Sequence, residues 1–469
     1  MMKKISILLA GMAVGITASA TNLTISPGQL ESLVGSGTDA SLVLEGSIDA
    51  RDLAYIEKLP ASVKTLDLRK VKVAPLTSYG KAYFGRTLFS ESEIPGYTFF
   101  KSGVETLLLP ETVKTIGEGA FAASEITSIE IPEGVTALSD YAFYGCSKLK
   151  EVKLPSTLKS IGKGAFGNCA SLETLNLTNT GLTELPERAF AGSTNLKTVM
   201  LPESVKRIGR ETFSLTGIET LALPEVTEFD AYALSGMPEL KSLTINPGAI
   251  ISEGMLMDNT SLTSLTGLAD GVPDYFAANC ANLDAKTAIG QVSDLGKYSF
   301  ANNAASELLL PGSLKSVDRG ALSGLNSLKS IDVTSLANQV PAADEYSFEG
   351  LDQPSIKLIV GDDYVEAWKE DPYWSLFDIV ASSQTSGTEN IADEYTGIEV
   401  THRGGVISVT SPVELTDVRV YTSDGRIAFV ASPADTHIDI DASTLPSGIV
   451  VVVAANVDGK KHTVSLLVR

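Results

Sequence analysis

The chain is 469 residues long, with 57 acidic against 36 basic side chains and a net charge of −21 at pH 7. So acidic a surface repels nucleic acid and anionic membrane, and neither is expected as a partner. Three histidines and three cysteines leave little material for histidine chemistry, a zinc site or a disulfide framework.

Residues 1–20 read as a secretory signal. Lys3 and Lys4 precede an apolar run from Ile5 to Ile16, and Ala18-Ser19-Ala20 forms a small-residue cleavage site. That run is too short to span a bilayer, and no later stretch reaches the ~20 apolar residues a membrane helix needs. The expected product is exported, either secreted or on the cell surface, with the periplasm as an alternative. Residues 21–60 are expected to form an N-terminal cap. It would hold a short helix begun near Ser26-Pro27, the LVLEG strand and a second helical piece, DARDLAYIEKL.

A solenoid is expected over 61–381. Its first strand is VKTLDLR, Val63 to Arg69. Between Tyr79 and Phe100 lies an aromatic-rich interruption. It either covers the open end of the core, as terminal repeats require, or forms a ligand-binding loop. From Val104 the chain repeats itself. LKEVKLPSTLKSIGKGAFGNCA (149–170) lies between ITSIEIPEGVTALSDYAFYGC (126–146) and LKTVMLPESVKRIGRETF (196–213). The common template is L-x-x-L-x-L-P-x-x-V-x-x-I-G-x-x-A-F-x-x-C. Pro110, Pro132, Pro155, Pro202 and Pro224 share one column, and Phe121, Phe143, Phe166, Phe190 and Phe213 share another at intervals of 22 to 24 residues. A fixed period in the twenties means stacked coils. The L-x-L alternation turns its leucines inward, proline ends the strand, and A-F drops a ring into the core. About twelve coils are expected.

The template resembles the BspA-like branch of leucine-rich repeats, over roughly residues 55 to 380. The resemblance implies a mainly β leucine-rich-repeat solenoid with short helical caps. It also implies an adhesin-like role, binding host matrix proteins or other bacteria.

Cys146, Cys169 and Cys280 occupy one repeat column. Core packing is the simpler reading, because neighbouring coils point equivalent side chains in parallel; a Cys146–Cys169 bridge is the alternative. The array closes with IKLIVGDDYVEAWKEDPYWSLFDI, read as a cap helix at 362–376 with Asp362 as N-cap and Pro372 as stop. Trp368 and Trp374 should form a lid over the last coil. Residues 382–394 read as a polar linker. Residues 395–469 then supply short alternating runs with Asp424-Gly425 and Asp458-Gly459 hairpin signals, and a small β-sandwich of about seven strands is expected. Through VRVYTSDGR, LPSGIVVVV and the basic last residue Arg469, this module resembles C-terminal sorting domains of secreted bacterial proteins.

No catalytic, cofactor or metal site is expected. His402, His437 and His462 all fall in the C-terminal module, so the repeats lack a histidine base. His437 beside Asp435 and Asp439 reads as a solvated strand face. Carboxylate pairs such as Asp362-Asp363, Asp344-Glu345 and Glu91 with Glu93 follow from an acidic composition alone. Gly35-Ser36-Gly37 lacks the frame of a phosphate loop. What remains is the outward face of the repeat strands. Its candidate residues are Leu108, Glu130, Glu151, Lys153, Asn176, Met200, Thr244, Thr266, Leu309 and Asp332. The first functional reading is a non-catalytic protein-binding solenoid. The alternative is a glycan-binding component of a surface nutrient-uptake system. An exposed aromatic patch would favour glycan, and a smooth polar face would favour protein.

Overall fold

A computed structural model describes residues 20–468 apart from 35–37, 78–84, 86–87, 224, 269–270, 291, 386–397, 404, 423–425, 447 and 458–460. The signal segment, Ser36, Tyr79, Tyr83, Phe84, Pro224, most of the expected linker, both Asp-Gly hairpin dipeptides and Arg469 lie outside the described residues. The chain divides into two compact units, one ending at Thr385 and the other starting at Ser386.

The first unit is a solenoid whose coils each contribute three edges. On the first edge lie three-residue strands such as Thr106–Leu108, Ser128–Glu130, Glu151–Lys153, Thr174–Asn176 and Thr198–Met200. They pair in parallel and in register, Val152 opposite Ile129 and Val199 opposite Leu175. The middle residue of each is buried and its neighbours face outward, as period-two alternation requires. The second edge is a ladder of two-residue strands, including Thr115–Ile116, Ala137–Leu138 and Ser160–Ile161. On the third edge the Ala-Phe turns bond coil to coil. Phe121, Phe143 and Phe166 donate their backbone N–H to Ala142, Ala165 and Ala189, each at 2.8 Å.

Inside, the phenylalanine column is a continuous stack. Phe99, Phe121, Phe143, Phe166, Phe190 and Phe213 follow one another at centroid distances of 5.2, 4.8, 5.2, 6.1 and 5.3 Å. Beside it runs a buried polar column, three residues after the ring at Cys146, Cys169 and Ser193. Cys146 Sγ donates to the Phe121 carbonyl at 2.9 Å, Cys169 to Phe143 at 3.2 Å, Ser193 to Phe166 at 2.7 Å and Cys280 to Leu256 at 3.1 Å. Asn259 serves Leu234 in the same way at 2.8 Å. The three cysteines are therefore free buried thiols, each satisfying a carbonyl of the preceding coil. Burial pushes the Cys146 thiol up to about 11 and that of Cys280 to about 12, and raises Cys169 well above its ordinary value.

The solenoid has about fifteen turns where twelve are expected. The N-terminal segment is itself coiled: Ala20–Ile25 and Ser41–Ile48 pair in parallel and lead into Thr65–Val73. At the other end Lys357–Val360 and Asp378–Ala381 extend the same ladder. These coils carry helices where the others carry Ala-Phe turns, namely Leu30–Leu33, Ala50–Tyr55 and Val365–Glu370. The proline and phenylalanine columns therefore lapse there while the strands persist. The first helix starts at Leu30 instead of near Ser26. Asp52 fixes it, accepting from the N–H groups of Gly28, Leu30 and Asp49 at 2.7, 2.9 and 3.0 Å.

Trp368 and Trp374 are wholly buried over the last coil, edge-on to each other. Their indole N–H groups donate to the carbonyls of Ala337 and Pro341 at 3.0 and 2.9 Å. Asp362 does not cap its own helix. Its carboxylate accepts from Ser383 N at 2.9 Å and Ser382 Oγ at 3.0 Å, and these bonds hold its pKa below the ordinary value. Ser382–Thr385 is thereby one helical turn attached to the last coil, where a linker is expected.

The second unit is antiparallel. The described residues form six strands, not seven, and one of them, Val406–Thr422, is shared. Its first half pairs with Glu399–Arg403 and Asp435–Asp441, and its second half with Ile427–Ala431 and Gly448–Asn456. Lys461–Val468 completes the sheet beside Gly448–Asn456. The register breaks between Thr410 and Leu415, around Pro412, so the sheet is continuous through one long strand. Ile407, Val409 and Ile440 from one half share a core with Val418, Val420 and Val452 from the other.

Candidate binding faces

The ladder of strands places the ten sequence candidates on the outward side of the first edge. Leu309 is the most open apolar residue among them, at 44% exposure, whereas Leu108 and Met200 are half-buried. Much of the remaining polarity is already paired. Lys153 holds Glu130 of the preceding coil, and the hydroxyls of Thr244 and Thr266 lie 3.1 Å apart. Asn176 accepts from the backbone and hydroxyl of Thr178 at 2.9 and 2.7 Å, and Asp332 does the same for Thr334 at 2.9 and 2.7 Å. Glu151 is exposed on the same face. The surface is polar and paired for the most part within itself, with Leu309 its open apolar residue.

His437 is exposed, with its Nε2 3.1 Å from Asp439 Oδ1. Asp439 also accepts from Ser408, and these two partners hold its pKa below the ordinary value. Among the described residues no group of His, Cys, Asp and Glu has the disposition of a metal site.

A second face was missed in the sequence. Two residues before the phenylalanine column, a position written as x in the template, stand Tyr97, Tyr141, Tyr232, Tyr275 and Tyr298. All five sit in the left-handed region, with φ of 61, 57, 61, 56 and 54°. Glycine fills the equivalent place in intervening coils, at Gly119, Gly164 and Gly254. The exchange is steric as well as conformational: a Cβ on Gly254 would meet the Tyr232 ring at 2.3 Å. Tyr97, Tyr141, Tyr232 and Tyr298 thus each lie against the glycine of the next coil. Tyr275 and Tyr298, in consecutive coils, stack at 5.4 Å and 15°. Tyr144 packs edge-on against Tyr141, and Phe100 against Tyr97.

The hydroxyls are anchored. Tyr97 donates to Glu118 at 2.7 Å, Tyr232 to Glu253 at 2.8 Å and Tyr298 to Glu349, and those bonds raise all three phenols. The basic residues beside them are also matched. Arg188 pairs with Glu211 at 2.6 Å, Arg319 with Glu349 at 3.1 Å and Lys163 with Glu187 at 2.9 Å. Arg210 lies over the Tyr232 ring at 4.7 Å. Next to the stacked tyrosines, a polar ladder crosses three coils. Asn279 donates to Asp258 and Asn302 to Asn279, both at 2.8 Å. Of the aromatic interruption, Phe89 and Phe99 enter the core, while Tyr97 and Phe100 remain open at 49% and 40% exposure.

The model of the BspA type leucine rich repeat region matches in six copies, over residues 89–180, 178–284 and 271–358. The chain belongs to the BspA-type leucine-rich repeat family. A leucine-rich repeat protein from Bacteroides ovatus, solved by crystallography, is similar at 20% identity and a TM-score of 0.52. That match covers 77% of this chain and 92% of the other, and it supports the repeat fold. A leucine rich cell surface protein from Faecalibacterium prausnitzii is 17% identical, covering 63% of this chain and 88% of that one, with a TM-score of 0.33. The Treponema pallidum leucine rich repeat protein is 26% identical over 36% of this chain and 82% of its own, with a TM-score of 0.32. A search of curated proteins finds no match. No helix among the described residues is long and apolar enough to cross a membrane.

Proposed function

We propose that this BspA-type solenoid is an exported or cell-surface, adhesin-like, non-catalytic binding protein that docks another protein along its strand face. The observation that carries the reading is the in-register outward ladder from Leu108 to Asp332. Its rigid backbone and prepaired polar groups would lose little conformational freedom on binding. The exposed Leu309 and half-buried Met200 and Leu108 give it apolar anchors in a polar surround, the usual anatomy of an interface. The repeats contain no histidine, which supports the non-catalytic reading. We assign the unit from Ser386 onward to location, on the strength of its separate core and its resemblance to sorting modules.

The test is surface binding of the full exported chain to a panel of purified extracellular-matrix proteins. A Met200→Asp, Leu309→Asp double variant is expected to weaken the strongest interaction by about tenfold or more. Equal binding by parent and variant would remove the strand face from the proposal. Turnover of peptide or glycan substrates by the purified chain would refute its non-catalytic nature.

A further inference from the structure

We infer that the partner docks on the last four strands of the solenoid's strand face, and that it is a protein presenting a basic surface. The inference rests on the strand-face reading above and adds to it the place and the partner's chemistry.

Glu307–Leu309, Ser330–Asp332, Lys357–Val360 and Asp378–Ala381 are consecutive parallel strands. Their register sets Leu309 opposite Asp332, Asp332 opposite Ile359 and Ile359 opposite Val380, so these four residues form one row. With strands about 4.8 Å apart, the row is about 14 Å long. Leu309 is exposed, and Ile359 and Val380 are half-buried on the outward side. Met200, by contrast, lies opposite Asn176. The end of the face therefore offers three apolar anchors in a single line, where the rest offers isolated ones.

Asp332 interrupts that line and selects the occupant. Its carboxylate accepts from Thr334 alone among the described residues. A partner that covers both Leu309 and Ile359 must also cover Asp332, which lies between them. Taking a carboxylate out of water without a countercharge is strongly unfavourable, so the partner has to bring a Lys or Arg to this point. The other acidic groups of the patch already have cations nearby: Glu307 pairs with Lys286 at 3.3 Å, and Asp378 stands opposite Lys357 in the register. Charge on the larger scale acts in the same sense. Residues 21–215 hold 22 acidic and 20 basic side chains, whereas residues 216–381 hold 24 and 8. The negative field is thus concentrated in the half of the solenoid that bears the row, where it draws cationic surfaces and speeds their encounter. Two copies of this chain meeting at this end would repel each other, which argues against self-association there.

The experiment is selection of a random peptide library, displayed on phage, against the full exported chain. The enriched peptides are expected to combine Lys or Arg with apolar residues. The tightest of them, made synthetically, should bind Asp332→Asn and Ile359→Ser variants about tenfold or more weakly than the parent. Asp332→Asn keeps the side-chain oxygen that accepts from Thr334, so it should fold as the parent does. Raising salt from about 0.05 to 0.5 M should weaken binding to the parent, and less steeply to Asp332→Asn. Glu151→Gln and Met200→Asp, on the same face in the other half of the solenoid, should leave affinity unaltered. Enrichment of neutral or acidic peptides, failure to enrich any, or full affinity in Asp332→Asn and Ile359→Ser overturns the inference. An equal loss in Glu151→Gln overturns it in favour of attraction to net charge alone. Loss in Met200→Asp without loss in Ile359→Ser overturns it while docking on the strand face stands. A peptide that binds every variant as it binds the parent overturns both.

Discussion

Removal of one ring from the phenylalanine stack tests how the solenoid is held together. Phe166 is fully buried, parallel to Phe143 at 5.2 Å and 1°, and stacked on Phe190 at 6.1 Å and 16°. Phe166→Ala removes a ring from a site whose floor and ceiling are other rings in adjacent coils, fixed by N–H bonds of 2.8 Å at Phe143 and Phe166. The cavity cannot collapse without shortening the coil spacing, which those bonds resist. The loss should therefore fall in the upper part of the ~3–5 kcal/mol range for Phe→Ala. Because each coil touches only its neighbours, the weakening should spread outward from the site. Guanidinium unfolding measures the total, and amide exchange locates it. Protection is expected to fall most between residues 126 and 213, with Thr65–Val73 and Lys357–Val360 least affected. A variant that unfolds with the parent's midpoint and keeps its exchange pattern over 126–213 would refute the stacked-ring account.

Further outcomes follow from the same structure. The three thiols should resist a disulfide reagent in the native state and react only on unfolding. Since burial raises the folded pKa of Cys146 and Cys280 above the ordinary thiol value of 9.0, their contribution is complete below pH 9 and is lost as pH rises toward about 11 and 12; alkaline titration of stability would show no such decline if they were exposed. Asp52→Ala should cost at least ~2 kcal/mol, because it strands the N–H groups of Gly28, Leu30 and Asp49, which have no other acceptor among the described residues; a change in melting within error would show that water replaces the carboxylate. Both tryptophans of the chain are buried over the last coil, so native emission should be blue-shifted and protected from acrylamide. Deletion of residues 395–469 should leave that emission and its unfolding midpoint unmoved, and a shift of the midpoint would show that the two units stabilise each other.

The sequence by itself determined the repeat. A period of 22 to 24 residues, an L-x-L strand and a phenylalanine column are local patterns, legible because every coil must bury the same face on its neighbour. It also placed Phe166 in the core, Cys146 and Cys169 among buried groups and the two tryptophans over the final coil. Tertiary structure alone decided the rest. The end coils escaped the count because their strands pair through backbone bonds that any side chains permit, while helices replace the turns that carry the marks. Asp362 seemed a cap from its place before a helix, yet its nearest donors come from residues 382 and 383, brought round by a further coil. The ten strand-face candidates could be named from alternation, whereas their mutual pairing depends on which coil lies beside which. The tyrosine face was hidden for the same reason. Tyrosine, glycine, arginine and glutamate alternate at one template position and look like noise along the chain. They become a surface only when stacking sets Tyr97, Tyr141, Tyr232 and Tyr298 against the glycines of the next turns and Tyr275 against Tyr298.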